Sequence, residues 1–532
     1  MQQRSSVSGG FSESSQRKVA RRGRADLMSG RKLIKGTAWS LGGQAATIAM
    51  SALITPFVVR QLGAAQYGIL TFLNLLTTYL AYTDLGMGTA STRFASLEES
   101  VGSNREAEVI WTGISLSTLM GTGVAVLVIV SASLLSDGLL HVGSALRGQA
   151  ILALRIVGVA FLLKNLGNVM NTPQLVRLRF DTYTTITSGS VLLQIALTPI
   201  VLWLGGDLVT VAFMIAAVNF WTLSLHFFIG RRLLPRLWPP RVNANLFRPL
   251  FNFGSLVVLS QVPELILSNA ERLGLTYFTS VANLGYYSIA YTYASLSLVT
   301  AVAMGQVLFP MFSRLQSSSK SAELGRLYRR AIVSMCFTLA PVAVVLAVAA
   351  RPLLTTLIGP DYGRASTPAC YLLLFGIVFN GMSYVPGFLL IASNKSGTIA
   401  RIRWYELLPY LGIAAVLTMK YGIVGAAAAW TLRAIVDSMF LNIAVQRWRR
   451  PVSFSLGNVL RLAGVLAFLL PPVITMIFFQ ISWVWTAFLT GLCLTLYTVN
   501  LWRRVLTGSE KSWVSNLSRR LLFQGAEAEV KA

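Results

Sequence analysis

Ionisable and amide side chains stand at helical spacing inside stretches of this sequence that are otherwise apolar, and there they could do chemistry. Lys164 is followed by Asn168 and Asn171 at i+4 and i+7, Arg433 by Asp437 at i+4, and Gln261 by Glu264 and Ser268 at i+3 and i+7. Ser40, Gln44, Thr47 and Ser51 form a further set 217 positions earlier, Gln44 matching Gln261 and Ser51 matching Ser268. Residues so spaced share one helix face. A polar face on a helix that crosses hydrocarbon has to look at water, protein or cargo. The two matching faces therefore point to a path between two lobes. Cations along such a path suit an anionic cargo, and amides suit hydroxyl groups.

Each set also has a purely structural use. Lys164 can snorkel while its asparagines bond neighbouring helices, and Arg433 and Asp437 can close an intrahelical ion pair. Were that pair mobile, protonation of Asp437 would free Arg433 for an anion and link proton movement to transport. Glu264, beside the helix-loosening Pro263, is the second coupling candidate, or else a neutral hydrogen-bonded group. Arg272, with Glu271, falls at an external mouth where it could meet phosphate, whereas Arg155 lies near enough to its span end to snorkel outward. Tyr286, Tyr287, Tyr291 and Tyr293 fit either sugar stacking or interfacial anchoring.

The elements that must position these residues follow from composition. Of 532 residues, 54% are apolar and only 12% charged, which removes the chain from the soluble globular class. About twenty apolar residues cross a bilayer core, and fourteen such stretches begin near residues 37, 68, 110, 150, 183, 207, 250, 284, 331, 366, 403, 422, 457 and 482. The expected fold is an all-α polytopic membrane protein of about fourteen transmembrane helices, arranged as two pseudo-symmetric six-helix lobes and a C-terminal helix pair. Residues 1–36 read as a disordered basic tail, 37–230 as the first lobe and 231–249 as a cytoplasmic linker. Residues 250–446 then form the second lobe, 447–502 the final pair and 503–532 a cytoplasmic tail. An even number of spans per lobe makes the repeats parallel. Met87 and Gly88 match Met304 and Gly305 at the same offset of 217.

The net charge of +26 concentrates in alternate loops, as expected when both termini are cytoplasmic. Aromatic residues do not interleave with the basic tail as nucleic-acid binding requires, although the tail can touch anionic lipid headgroups. The tail is too polar for a cleaved signal, so the first span serves as an uncleaved one. Cys336, Cys370 and Cys493 all fall inside spans and form no disulfide or metal framework. No phosphate-cradling GxxxxGK[ST] loop occurs, and His141 and His226 lack metal-ligand spacing. Neither a catalytic residue, a metal nor a cofactor is expected, and the predicted external loops are too short for a catalytic domain.

Leu62, Gly63, Tyr67 and Gly68, followed by Asp84, Leu85, Gly86, Met87, Gly88 and Arg93, resemble the N-terminal pattern of the polysaccharide-transporter branch of the MOP superfamily, which includes the Wzx-type O-antigen and exopolysaccharide flippases. Leu284, Gly285, Tyr286, Tyr287 and Ala290 resemble the matching signature of the second half, and Gly359, Pro360, Asp361 and Tyr362 another recurrent element. The resemblance covers most of residues 30–450. It implies a monomeric alternating-access carrier, not an enzyme, that moves an undecaprenyl-diphosphate-linked oligosaccharide across the bacterial inner membrane. Coupling would come from H+, Na+ or membrane potential, and a glycan polymerase and glycosyltransferases would be its working partners. By the same resemblance the cavity maps onto Gln44, Gln261, Lys164 and Arg433; the residues' own positions add Asn168 and Arg272 to it, with Glu264 and Asp437 as coupling residues. The first span carries no charge, unlike that of lipid II flippases, which disfavours a peptidoglycan-precursor cargo. Two other readings stay open: a MATE-like drug or organic-cation antiporter, expected to place more acidic than basic charge in its cavity, and a membrane glycan polymerase or glycosyltransferase.

Overall fold

Backbone groups inside hydrocarbon find no water to bond, so long apolar stretches must satisfy them internally as helices. The computed structural model of the chain follows this rule: among the described residues it is helical, with no strand. The residues described are 11–81, 86–100, 105–317, 321–448, 467–469, 471–472, 474–475, 483–505 and 511. In chain order the helices are α1 (Phe11–Leu80), α2 (Met87–Ser100), α3 (Glu106–Leu134), α4 (Ser144–Met170), α5 (Thr172–Val176), α6 (Phe180–Trp203), α7 (Leu208–Leu233) and α8 (Phe247–Leu267). They continue as α9 (Ala270–Phe278), α10 (Val281–Ser295), α11 (Leu298–Ser317), α12 (Ser321–Leu357), α13 (Pro360–Ala392), α14 (Ser396–Trp448) and α15 (Trp483–Asn500).

Among the described residues, ten helical segments are long and apolar enough to cross a membrane, and the expected spans are distributed over them unevenly. Those from 37 and 68 share α1, which bends at Gly63 (φ 71°), and those from 403 and 422 share α14, which bends at Gly422 (φ 55°). A straight helix of the 53 residues in α14 would reach about 80 Å, far beyond a core of about 30 Å. The left-handed backbone that glycine accepts without strain therefore divides α14 into two limbs. The stretch from 284 is split between α10 and α11, and that from 457 lies mostly outside the described residues, so the count of fourteen is approximate. Residues 11–36, read from composition as an unstructured tail, continue the first helix outward. Extending an existing helix costs far less than nucleating one.

The chain divides into two compact units, Met1–Val262 and Pro263–Ala532. In the first, α4 packs against α3 and α7, and α1 against α6. Gly88 allows close approach there, since a Cβ at that position would stand 2.7 Å from the Asn168 carbonyl oxygen on α4. Asp207 caps α7, accepting from the Thr210 backbone N–H at 3.0 Å; that bond holds its carboxyl below the ordinary carboxylate range. In the second unit, α13 packs against both α12 and α14. Its core is rich in small residues, including Ala343, Ala347, Ala350, Ala369, Ala426 and Ala427, which let helices approach closely where lipid provides no hydrophobic drive between them. Gly305, matched to Gly88 in the sequence, likewise faces a neighbouring helix, against Phe388 of α13.

Candidate functional site

The first limb of α14 carries Arg403, Glu406 and Tyr410 at i, i+3 and i+7, and the second carries Arg433 and Asp437 at i and i+4. Each limb thus presents one polar face. The two faces meet across the Gly422 bend, where Arg403 Nε comes within 3.6 Å of Asp437 Oδ1. Glu264 of α8 pairs with Arg403 and stands 3.9 Å from Arg433 Nη2, and it accepts a bond from Ser268 Oγ at 3.0 Å. Arg433 Nη1 donates to the Leu267 carbonyl at 2.8 Å. That carbonyl ends α8, where helical partners run out and a cation is favoured.

A second layer continues the cluster on α9 and α10. Glu271 is fully buried and accepts from Tyr410 Oη at 2.7 Å and Tyr287 Oη at 3.2 Å. Arg272 lies 4.0 Å from the same carboxylate and lays its guanidinium 4.3 Å above the Tyr291 ring, a cation–π contact. Glu406 is buried, and among the described residues neither of its carboxylate oxygens has a hydrogen-bond partner. With every group ionised the cluster holds three guanidiniums and four carboxylates, 3 − 4 = −1. Buried charges are tolerated when paired, and losing one partner strands the other. Asp437 and Arg433 are buried, whereas the Glu264 side chain is 48% exposed, so the cluster opens to its surroundings at Glu264.

The first unit is built differently. Lys164 is exposed on α4 and, among the described residues, makes no hydrogen bond or ion pair. Its neighbours are neutral amides. Among the described residues, Asn165 is fully buried with both amide atoms unpartnered, Asn168 is half-buried, and Asn171 is buried with Oδ1 unpartnered. Further along, Gln194 donates to Asn219 at 3.1 Å and Asn219 to the Ala160 carbonyl at 3.1 Å, while His226 Nδ1 and Gln174 Oε1 are 3.2 Å apart. Arg155 is exposed.

Of the residues singled out from the sequence, the fold gathers Glu264, Arg272, Arg433 and Asp437 into one cluster and places Lys164 and Asn168 together on α4. Gln261 is exposed on α8; Gln44 lies on α1, its side chain outside the described part. Asp437 finds its ion-pair partner in Arg403 across the bend, and Arg433 finds Glu264. Arg272 belongs to an inward-turned layer because Glu271 is buried beside it. Tyr287 and Tyr293 bond internally, to Glu271 and to the Leu346 carbonyl. Sequence reasoning missed Arg403, Glu406 and Tyr410, although their shared face at i, i+3 and i+7 was a usable signal. Among the described residues no group of three or more His, Cys, Asp or Glu could hold a metal ion.

Comparison with known proteins sets this architecture in context. Residues 33–316 match the family described as polysaccharide biosynthesis protein. A putative O-antigen transporter from Shigella flexneri is 23% identical over 415 residues, covering 77% of this chain and 97% of the relative. A probable low-salt glycan biosynthesis flippase, Agl15 of Haloferax volcanii, is 22% identical over 195 residues, 36% of this chain and 40% of the relative. Among solved structures, the lipid II flippase MurJ in an inward closed conformation superposes with a TM-score of 0.69 at 14% identity, covering 86% of this chain and 96% of that one. An inward-facing multidrug resistance MATE family transporter of the MOP superfamily gives 0.63 at 13% identity, with 77% and 96% covered. The likeness to both structures is one of fold.

Proposed function

Since the chain belongs to the polysaccharide biosynthesis protein family and is a multi-pass membrane protein of MurJ- and MATE-like fold, we propose that it is a flippase for a lipid-linked oligosaccharide. The cargo is an undecaprenyl-diphosphate-linked repeat unit of O-antigen or exopolysaccharide type, carried across the bacterial inner membrane by alternating access. One observation carries the reading: Lys164, a cation within a membrane span, is exposed, unpaired among the described residues and flanked by amides. Hydroxyls moved through hydrocarbon lose hydrogen bonds at roughly 1–7 kcal/mol each, so a sugar needs such a polar lining while its lipid tail stays in the bilayer. The diphosphate is anionic, and an ammonium binds it by charge-assisted bonds. No bond is made or broken in this step, and the protein acts as a carrier.

The cluster around α14 supplies the coupling. Its formal charge of −1 is neutralised by a single proton, and Glu264 is the member through which that proton enters. Once Glu264 or Asp437 is neutral, Arg403 and Arg433 lose a partner and the contacts that lock the limbs of α14 to α8 weaken. A cation-antiporter reading draws on the same acidic excess, but three arginines occupy the cluster.

Deleting the gene tests the cargo. Lipid-linked repeat units are expected to accumulate untranslocated, and unchanged export of the finished glycan would overturn the flippase reading. For coupling, Asp437→Asn is expected to keep cargo binding while transport loses its dependence on the proton gradient. Undiminished activity with intact coupling would remove Asp437 from this role.

A further inference from the structure

Near the C-terminal ends of α4 and α7 in the first unit lies an apolar cavity of about 320 Å³. It is walled by Trp111 and Ile114 of α3, Leu166 and Met170 of α4, and Leu223 and Phe227 of α7. Phe228, in the same wall, is exposed. These residues sit on helices that cross the membrane, within a few turns of the ends of α4 and α7 and of the start of α3. On helices that span a bilayer, this position near their ends corresponds to the level where acyl chains meet headgroups.

The chain beyond α7 folds back over this region and is fixed there. Trp111 Nε1 donates to the Leu237 carbonyl at 2.6 Å, the Asn243 N–H to Thr112 Oγ1 at 3.0 Å, and Asn243 Nδ2 to Glu108 Oε2 at 3.1 Å. Trp238, half exposed, packs its ring edge-on against Trp111 and Phe227, two of the cavity walls. The rim is basic. Arg231 follows Phe227 by four residues and Phe228 by three, which places it on the same helix face one turn further out, and Arg232 and Arg241 are exposed beside it in sequence. Between Asp207 and Glu264 the chain holds Arg231, Arg232, Arg236, Arg241 and Arg248 and no acidic residue.

We propose that this cavity is a binding site for an anionic phospholipid, one acyl chain seated against Trp111, Leu166 and Phe227 and its phosphate resting on Arg231 and Arg232. Hydrocarbon fits a dry apolar pocket, a polybasic rim attracts an anionic headgroup, and a tryptophan at the edge matches the polarity step between the two. The site is independent of the cargo path and stands whether or not the chain is a flippase.

Native mass spectrometry of the full-length protein, equilibrated with equal amounts of phosphatidylglycerol and phosphatidylethanolamine of identical acyl chains, tests the proposal. Phosphatidylglycerol is expected to be retained about thirtyfold over the zwitterionic lipid, from two arginines near the headgroup, and the Arg231→Gln/Arg232→Gln variant is expected to bring the ratio near parity. Leu166→Trp, which narrows the cavity, is expected to lower retention of both lipids in protein with an unchanged melting profile. Should that variant fail to fold, the surface arginine pair still decides the matter. Equal retention of the two lipids by unaltered protein, an unchanged ratio in the arginine variant, or displacement of phosphatidylglycerol by an equimolar polyisoprenyl phosphate would each overturn the assignment.

Discussion

Lys164 in the first unit and Arg433 in the second are both cations within membrane spans, yet their surroundings are opposite. Lys164 is exposed among neutral amides and has no ionic partner among the described residues. Arg433 is buried, bonded to the Leu267 carbonyl and held near Glu264, in a cluster where Arg403 binds both Glu264 and Asp437. An open, unpaired cation meets an incoming anion without first giving anything up. An interlocked arginine must lose a partner before it can engage another, so its position depends on the charge state of its carboxylates. On the proposed function the first unit would receive the anion and the second would sense ionisation, a division of labour that single variants test.

The largest effect is expected where one guanidinium serves two carboxylates. Arg403→Ala leaves Asp437 buried without its ion-pair partner, and breaking a buried pair in this way costs about 3–5 kcal/mol. Replacing both partners, Arg403→Leu with Asp437→Leu, removes the stranded charge and is expected to recover most of that loss, since apolar replacements of buried pairs are often neutral or stabilising. Thermal unfolding of the detergent-purified protein measures both. A single-variant cost as small as that of an exposed ion pair, below about 1 kcal/mol, would break the contrast between the units.

Lys164 predicts the reverse signature. Lys164→Gln touches no described ion pair, so stability is expected to change by no more than about 0.5 kcal/mol. Transport is expected to fall by roughly ten- to a hundredfold, because a hydrogen bond to a charged group contributes about 1.5–3 kcal/mol and each 1.4 kcal/mol is about tenfold. Lys164→Arg keeps the charge and is expected to retain most activity. Measured transport equal in all three proteins would take Lys164 out of the cargo path.

The two halves of this comparison were not equally legible in the sequence. Apolar run length located most of the helices, and the spacing of Lys164 with Asn168 and of Arg433 with Asp437 placed each pair on one helix face. The partners of Arg433 and Asp437 were not legible, because they depend on a fold in the chain. Arg403 and Glu406 acquire their meaning only when the backbone at Gly422 turns left-handed and lays one limb of α14 beside the other. Glu271 looked external beside Arg272, yet α8 stops at Leu267 and the short α9 turns that carboxylate inward onto Tyr287 and Tyr410. Periodicity reports which residues share a face, but which faces meet is decided by bends of one or two residues.

The smallest effect tests whether ionisable groups at the periphery of the first unit act only locally. Asp207 caps α7 through the Thr210 backbone N–H, so Asp207→Ala is expected to cost about 1 kcal/mol, and Asp207→Asn much less because asparagine caps comparably. The Thr210 bond holds the folded carboxyl below its ordinary value. Its charge-dependent stabilisation is then fully present above the unfolded carboxylate value of about 3.9 and is lost as pH falls through the lower folded one. Melting curves of the unaltered protein and of Asp207→Ala, recorded from pH 7 downward, are expected to run parallel and then converge below about pH 4. Convergence well above that range would mean that Asp207 is tied to a larger ionic network, and the first unit would then resemble the second.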